Sequence, residues 1–143
     1  ELGAALENPQ FGEAAQRALE YERCWLSRAH GGWPDLRELD RAKLDSGTSP
    51  AYPVFWCHGA AGIGLARLRA YELTADESCL AEAAAAIDTA SSTMLRVLTA
   101  ADGTPTGADL SLCHGVGSVA ELHLAAAETA KEPSNQTGAG ADN

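Results

Sequence analysis

With 143 residues and 45% apolar side chains, the chain can bury one core, and a single domain is the expectation. Ten Lys and Arg against twenty Asp and Glu give a net charge of −10, so the basic stripe of a nucleic-acid groove is absent and anionic membrane surfaces are disfavoured. No apolar run reaches the length of a bilayer span, and residues 1–7 lack the basic start and apolar stretch of a signal peptide, so a cytoplasmic protein without a membrane span is expected.

The chain reads as all-α. Ala is abundant, β-branched residues are sparse, and apolar side chains recur with a 3.6-residue period. Asn8-Pro9 is an N-cap followed by Pro at the first helical position, and Phe11, Ala15, Ala18, Leu19, Trp25 and Leu26 predict one buried face to about residue 28. Residues 29–56 hold His30-Gly31-Gly32-Trp33-Pro34 and Ser46-Gly47-Thr48-Ser49-Pro50, a long irregular connection. A second helix is predicted from near Gly59 to Leu73. Thr74 and Glu77 fit a capping box for a third, whose stripe is Leu80, Ala84, Ile87, Met94 and Leu98. Residues 101–112 form a loop, a fourth helix runs from about Gly117 to Lys131, and residues 132–143 read as a disordered tail.

An internal repeat organises this series. Cys57-His58-Gly59 opens one helix and Cys113-His114-Gly115 opens another, 56 residues on. Ile63 then matches Val119, Leu68 matches Leu124, Ala70 matches Ala126 and Glu72 matches Glu128. Such self-similarity suggests successive turns of a helical-hairpin array or barrel.

The chain has four cysteines, Cys24, Cys57, Cys79 and Cys113. In a reducing compartment each is a buried small residue, a reactive thiol or a metal ligand. Thiolate and neutral imidazole are the donors Zn²⁺ prefers. A helix start stabilises a thiolate, and Gly after each Cys-His pair permits a sharp turn. Spacing alone leaves a plainer reading open. There is no Cys-x-x-Cys, adjacent Cys-His residues seldom chelate one ion together, and both cysteines could be buried helix-start residues beside hydrogen-bonding histidines.

The wording of the motifs adds a resemblance. Trp56-Cys57-His58-Gly59-Ala60-Ala61-Gly62-Ile63-Gly64-Leu65-Ala66-Arg67-Leu68 resembles the signature of lanthionine synthetase C-like proteins. Leu112-Cys113-His114-Gly115, followed by Glu121-Leu122, is similar to their second signature. Gly32-Trp33-Pro34-Asp35-Leu36-Arg37, after Ala18-Leu19-Glu20-Tyr21-Glu22-Arg23, looks like the cyclase domain of the fused type II synthetases. The resemblance implies an (α/α) toroid of helical hairpins, of which residues 1–131 would be a part. It implies Cys57, Cys113 and His114 as three Zn²⁺ ligands, with the fourth position open to a substrate thiol and His58 outside the ligand set. The implied reaction is addition of a peptide Cys thiolate to dehydroalanine or dehydrobutyrine, forming a thioether ring. The partners would be a dehydrated, cysteine-containing precursor peptide and a dehydratase domain or protein.

The chain departs from the family pattern in places. Ala61 stands where Pro is usual, and Ser118 and Val119 stand where Gly and Asn are typical. The family's upstream His-Gly motif, whose His is proposed for proton transfer, has no counterpart in residues 1–143; His58 could orient a ligand, substitute as the proton donor, or be a turn residue hydrogen-bonded to backbone. Two rival functions stand beside cyclisation: a non-catalytic zinc or peptide-binding module, and a relative that adds glutathione. Among other residues, Trp56 could wall the site or fill the core, and Asp35 and Arg37 could touch substrate or merely form a turn. Cys24 and Cys79 read as core, His30 and His123 as exposed, and Arg67, Arg69 and Glu72 as a solvated face. Gly59, Gly62 and Gly64 are a poor match to a phosphate loop, since no Lys-Ser/Thr follows.

Overall fold

The structure is a computed structural model and describes residues 1–37, 45–98 and 109–131. Its elements are all α-helical: α1 (Leu2–Ala5), α2 (Pro9–Arg23), α3 (Ala60–Thr74), α4 (Glu77–Leu98) and α5 (Val116–Thr129). The only β pairings among the described residues are three isolated bridges, Ser27 with Gly32, Asp35 with Ala51 and Val54 with Gly59. The fold is all-α, consistent with part of an (α/α) toroid. The predicted loop at 101–112 lies largely outside the described residues, and the predicted tail at 132–143 lies wholly outside them.

α2 begins as its sequence dictates, with Pro9 in the first turn and the Asn8 side chain accepting from the Gln10 N–H at 3.0 Å. It ends at Arg23, five residues before the predicted end, and α1 precedes it unforeseen. None of its residues is fully buried, and Phe11 and Trp25 remain 42% and 43% exposed. The expected apolar face therefore does not anchor this helix. Salt bridges from its last turn to α3 and α4 do so instead.

α3 and α4 form a helical hairpin joined by Ala75, which takes the left-handed conformation (φ 55°), and Asp76. The cap of α4 is Asp76 rather than Thr74. Asp76 Oδ1 accepts from the Ser78 N–H at 3.0 Å, while the Thr74 hydroxyl donates back to the Ala70 carbonyl at 2.7 Å. Thr74 is consumed by the end of α3, so the capping-box reading shifts by two residues. The Ser78 hydroxyl and N–H, which both donate to Asp76, hold its carboxyl below the usual range.

The core lies where α3, α4 and α5 meet, with Trp33 from the connection closing one side. Its α4 face is Ala83, Ala86 and Ala90, all at zero exposure. The predicted stripe of Leu80, Ile87 and Met94 only flanks this face, and Ala84 is exposed. Small side chains let the helices close tightly. At Gly64 on α3, an added Cβ would meet the Ala86 Cβ and a Leu122 methyl at 2.9 Å each.

Arg67 overturns the solvated-face reading. It is completely buried, whereas Arg69 is 52% exposed. Its Nε donates to Glu82 Oε2, and the other oxygen of Glu82 accepts from Arg23 Nε. Its Nη1 lies 3.0 Å from Glu22 Oε2, an ion pair that is not aligned as a hydrogen bond. Glu82, only 5% exposed, thus ties α2 to α3 and α4. The period alone could not reveal this, because a buried guanidinium and an exposed one look alike in sequence.

Candidate metal centre

The two Cys-His-Gly turns are built alike, down to their backbone hydrogen bonds. The Ala60 N–H donates to the Pro53 carbonyl at 3.0 Å, and the Val116 N–H donates to the Asp109 carbonyl at 2.8 Å. These two bonds are related by the same 56-residue shift as the motifs. Gly59 adopts φ +145°, where other residues are strained, and a Cβ on it would collide with the Pro53 carbonyl. A Cβ on Gly115 would collide with the Asp109 carbonyl in the same manner. The repeat is therefore one of hydrogen-bond register and of crowding at the glycine, although Gly115 makes its turn at φ −118° where Gly59 uses +145°. Side-chain environments diverge downstream, where Leu68 is 3% exposed and its match Leu124 is 63% exposed.

Steric necessity at these turns yields a prediction. Gly115→Ala should destabilise the chain by about 1–3 kcal/mol, because the turn must open to admit a methyl group. Gly12, on α2, has nothing within 4 Å of an added Cβ, and Gly12→Ala should be neutral or slightly stabilising. Urea unfolding of both variants measures this, and equal midpoints would refute it.

The turns meet. The Trp56 N–H donates to the Cys113 carbonyl at 3.2 Å, joining one turn to the other. Across this junction, Cys57 Sγ lies 3.2 Å from His114 Nε2, and Cys113 Sγ lies 4.0 Å from the same nitrogen. Cys57 Sγ is also 3.0 Å from His58 Nδ1. The ring of Phe55 packs against both imidazoles, with centroids 5.1 Å from His58 and 5.5 Å from His114. Cys57 and His114 are exposed, and His58 and Cys113 are half-buried.

This donor set suits a thiophilic cation. Zn–S and Zn–N bonds of about 2.3 and 2.0–2.1 Å in tetrahedral array put sulfur and nitrogen about 3.6 Å apart. The two Cys–His114 separations, 3.2 and 4.0 Å, bracket that value. A hydrogen bond with the Cys57 thiol, then burial and the charge of Cys57 as a thiolate, raise the pKa of Cys113. A divalent cation between them removes that penalty.

Cys57, His58 and His114 form a triple whose ligand atoms all lie within 4.8 Å of one another. That group contains His58, which the family resemblance leaves outside the ligand set, and omits Cys113, which the resemblance includes. The far side of the His58 ring offers it another partner. Its Nε2 is 4.0 Å from Asp35 Oδ2. Asp35 in turn accepts from Arg37 Nε at 2.9 Å and Nη2 at 2.6 Å. That guanidinium, with the Arg37 N–H, holds the Asp35 carboxyl well below the usual carboxylate range.

Other sequence readings fall out unevenly. Trp56 is 48% exposed and so is no core residue. Cys79 is buried, and burial raises its thiol pKa, but Cys24 is exposed, its sulfur turned back to the Glu20 carbonyl. His30 and His123 are exposed as predicted, and each has a local partner, Tyr52 stacked at 4.0 Å and Ser91 at 3.0 Å. Asp109 and Ser111 were missed. The Ser111 N–H and hydroxyl donate to the Asp109 carboxylate at 2.8 and 2.7 Å, and the His114 N–H donates to the Ser111 hydroxyl at 3.3 Å. Asp-x-Ser before a turn is a recognisable signal for such a network.

A family model described as lanthionine synthetase C-like protein matches residues 1–142. No curated protein matches the chain, and no solved structure does. Among the described residues, no helix is long and apolar enough to cross a membrane.

Proposed function

The chain belongs to the lanthionine synthetase C-like family, and on that premise we propose that it is a zinc-dependent lanthionine cyclase, or part of one, with residues 1–131 forming the cyclase domain. The substrate is a dehydrated precursor peptide bearing cysteines, prepared by a dehydratase domain or protein. The observation that carries this reading is the convergence of Cys57, Cys113 and His114 from turns far apart in sequence. These three side chains hold Zn²⁺. When bound, the ion supplies the Lewis acidity that ionises an incoming thiol near neutral pH.

The chain's own residues do the rest. Cys57 and Cys113, as thiolates, would balance the charge of a bound Zn²⁺, so an incoming sulfur would keep its electron density. Its lone pair forms the carbon–sulfur bond at the dehydroamino acid's β-carbon, and the π pair moves towards the α-carbon. His58 takes up the proton that the thiol releases and returns one to the α-carbon, with Asp35 Oδ2 4.0 Å from its Nε2 favouring the charged ring in between.

The short distance from His58 Nδ1 to Cys57 favours a second reading, a closed structural site with His58 as fourth ligand. Cobalt substitution separates the two. With an open position, adding a cysteine peptide to the cobalt-loaded chain should intensify the sulfur-to-cobalt absorption. In a closed site only the His58→Ala variant should respond. The cyclase reading itself is tested with a peptide carrying one Cys and one dehydroalanine. The zinc-loaded chain should remove its maleimide-reactive thiol, at unchanged mass, at least about tenfold faster than the uncatalysed reaction. Thiol loss at the background rate would overturn the assignment.

A further inference from the structure

A cavity of about 250 Å³ opens beside the metal centre, on the far side of His58. Its walls include Tyr21, Trp25, Trp33, Pro34, Pro53 and Ile63, drawn from α2, the long connection and α3. The accessible lining is overwhelmingly apolar; its polar groups are His58 facing the Asp35–Arg37 pair, and Glu22 on α2. Trp33 is fixed in place, being 4% exposed with its indole N–H donating to the Glu22 carbonyl at 3.0 Å. Trp25 is 43% exposed and makes an edge contact with Tyr21 at 6.3 Å. An aromatic side chain left that open at a cavity mouth presents a face that a ligand can cover.

We propose that this cavity is a substrate subsite, which takes a large apolar side chain, preferably aromatic, from a residue within about three positions of the reacting cysteine. The proposal rests on the cyclase reading and names what that site selects. Three observations carry it. First, the volume falls below the range of about 300–1,000 Å³ usual for a whole small-molecule ligand, and suits one bulky side chain. Second, the cavity adjoins the metal centre through His58. His58 lines it and also stands 3.0 Å from Cys57 Sγ. One imidazole ring separates the two, so the gap is roughly 10 Å or less, the reach of about three extended residues. Third, the charged groups at its edge satisfy one another. Asp35 and Arg37 pair through two side-chain bonds, and the remaining lining carboxylate, Glu22, is paired with Arg67, so the cavity selects by apolar contact.

The test uses two short peptides, N-acetyl-Cys-Phe-amide and N-acetyl-Cys-Ser-amide, titrated into the zinc-loaded chain. The indole N–H resonances of Trp25 and Trp33 are followed, assigned through Trp→Phe variants. The Phe peptide should bind at least about tenfold more tightly, a difference of about 1.4 kcal/mol. It alone should shift both indole signals. Trp25→Ala should cut the preference below about threefold, and Trp25→Phe should keep most of it, which guards against a folding defect. N-acetyl-Ala-Phe-amide, lacking a thiol, should still shift the indoles more weakly, with or without zinc. Equal affinity for the Phe and Ser peptides, or indole signals unmoved by saturating Phe peptide, would overturn the proposal. A chain that binds no zinc, yet shows the indole shifts with the thiol-free peptide, would sink the cyclase reading while leaving the apolar subsite standing.

Discussion

Cys113→Ala is expected to strip the chain of its zinc, from about one ion per chain to below about one-tenth after dialysis against a weak chelator. In the proposed ligand set Cys113 supplies the second thiolate. Cys57 and His114 stand 3.2 Å apart and need Cys113 to complete a second thiolate. Losing one of three protein ligands removes a charge as well as a bond, so affinity should fall by more than the 10–100-fold seen when a supporting residue is lost. Cys57→Ala and His114→Ala should behave alike. Cys24→Ser should hold its zinc, because Cys24 is exposed at the end of α2 and bonded to its own helix. Elemental analysis of the variants gives the answer. If Cys113→Ala keeps its metal and His58→Ala loses it, the ligands are Cys57, His58 and His114, and the assignment of Cys113 fails.

The second large effect concerns stability. Arg67→Ala should cost about 3–5 kcal/mol, because it leaves the nearly buried Glu82 with one guanidinium where it had two. Against a total stability of about 5–15 kcal/mol for a domain, that loss brings the chain close to unfolding. Arg69→Ala is the matched control. Arg69 is 52% exposed and pairs with Glu1 and Glu72 at the surface, so its loss should fall within about 1 kcal/mol. Replacing the Arg67–Glu82 pair together, by Met and Leu, should recover much of the loss, since no buried charge is then left with half its partners. Urea titration of the set decides the matter. An Arg67→Ala midpoint no lower than that of Arg69→Ala would contradict the account.

Much of this was legible beforehand, and the reasons are local. Helix starts announced themselves through Asn8-Pro9 and the glycines after each Cys-His pair, because caps and sharp turns depend on a few neighbouring residues. The repeat at 56 residues led directly to the two turns that converge. What failed was non-local. The core face of α4 is alanine, chosen for close approach of three helices, whereas reading by apolar size pointed to Leu80, Ile87 and Met94. Phe11 and Trp25 looked like core because their spacing fits a stripe, yet no helix covers them among the described residues. Arg67 was misread because its partners, Glu22 and Glu82, lie 45 residues before it and 15 after. His58 stood out as a candidate proton donor in the motif, but its contacts with Cys57 and Asp35 depend on the fold bringing the connection back to the helix start.

The main-chain hydrogen bond from the Trp56 N–H to the Cys113 carbonyl has a thermodynamic corollary. Segments separated by more than fifty residues are held in register by that bond together with the packing of α3 against α5, so most of the loop-closure entropy is spent during folding and little is left to charge against ion capture. Affinity for the cation should therefore track the integrity of this junction. Slow deuterium uptake at Trp56 would be its signature before any cation is added.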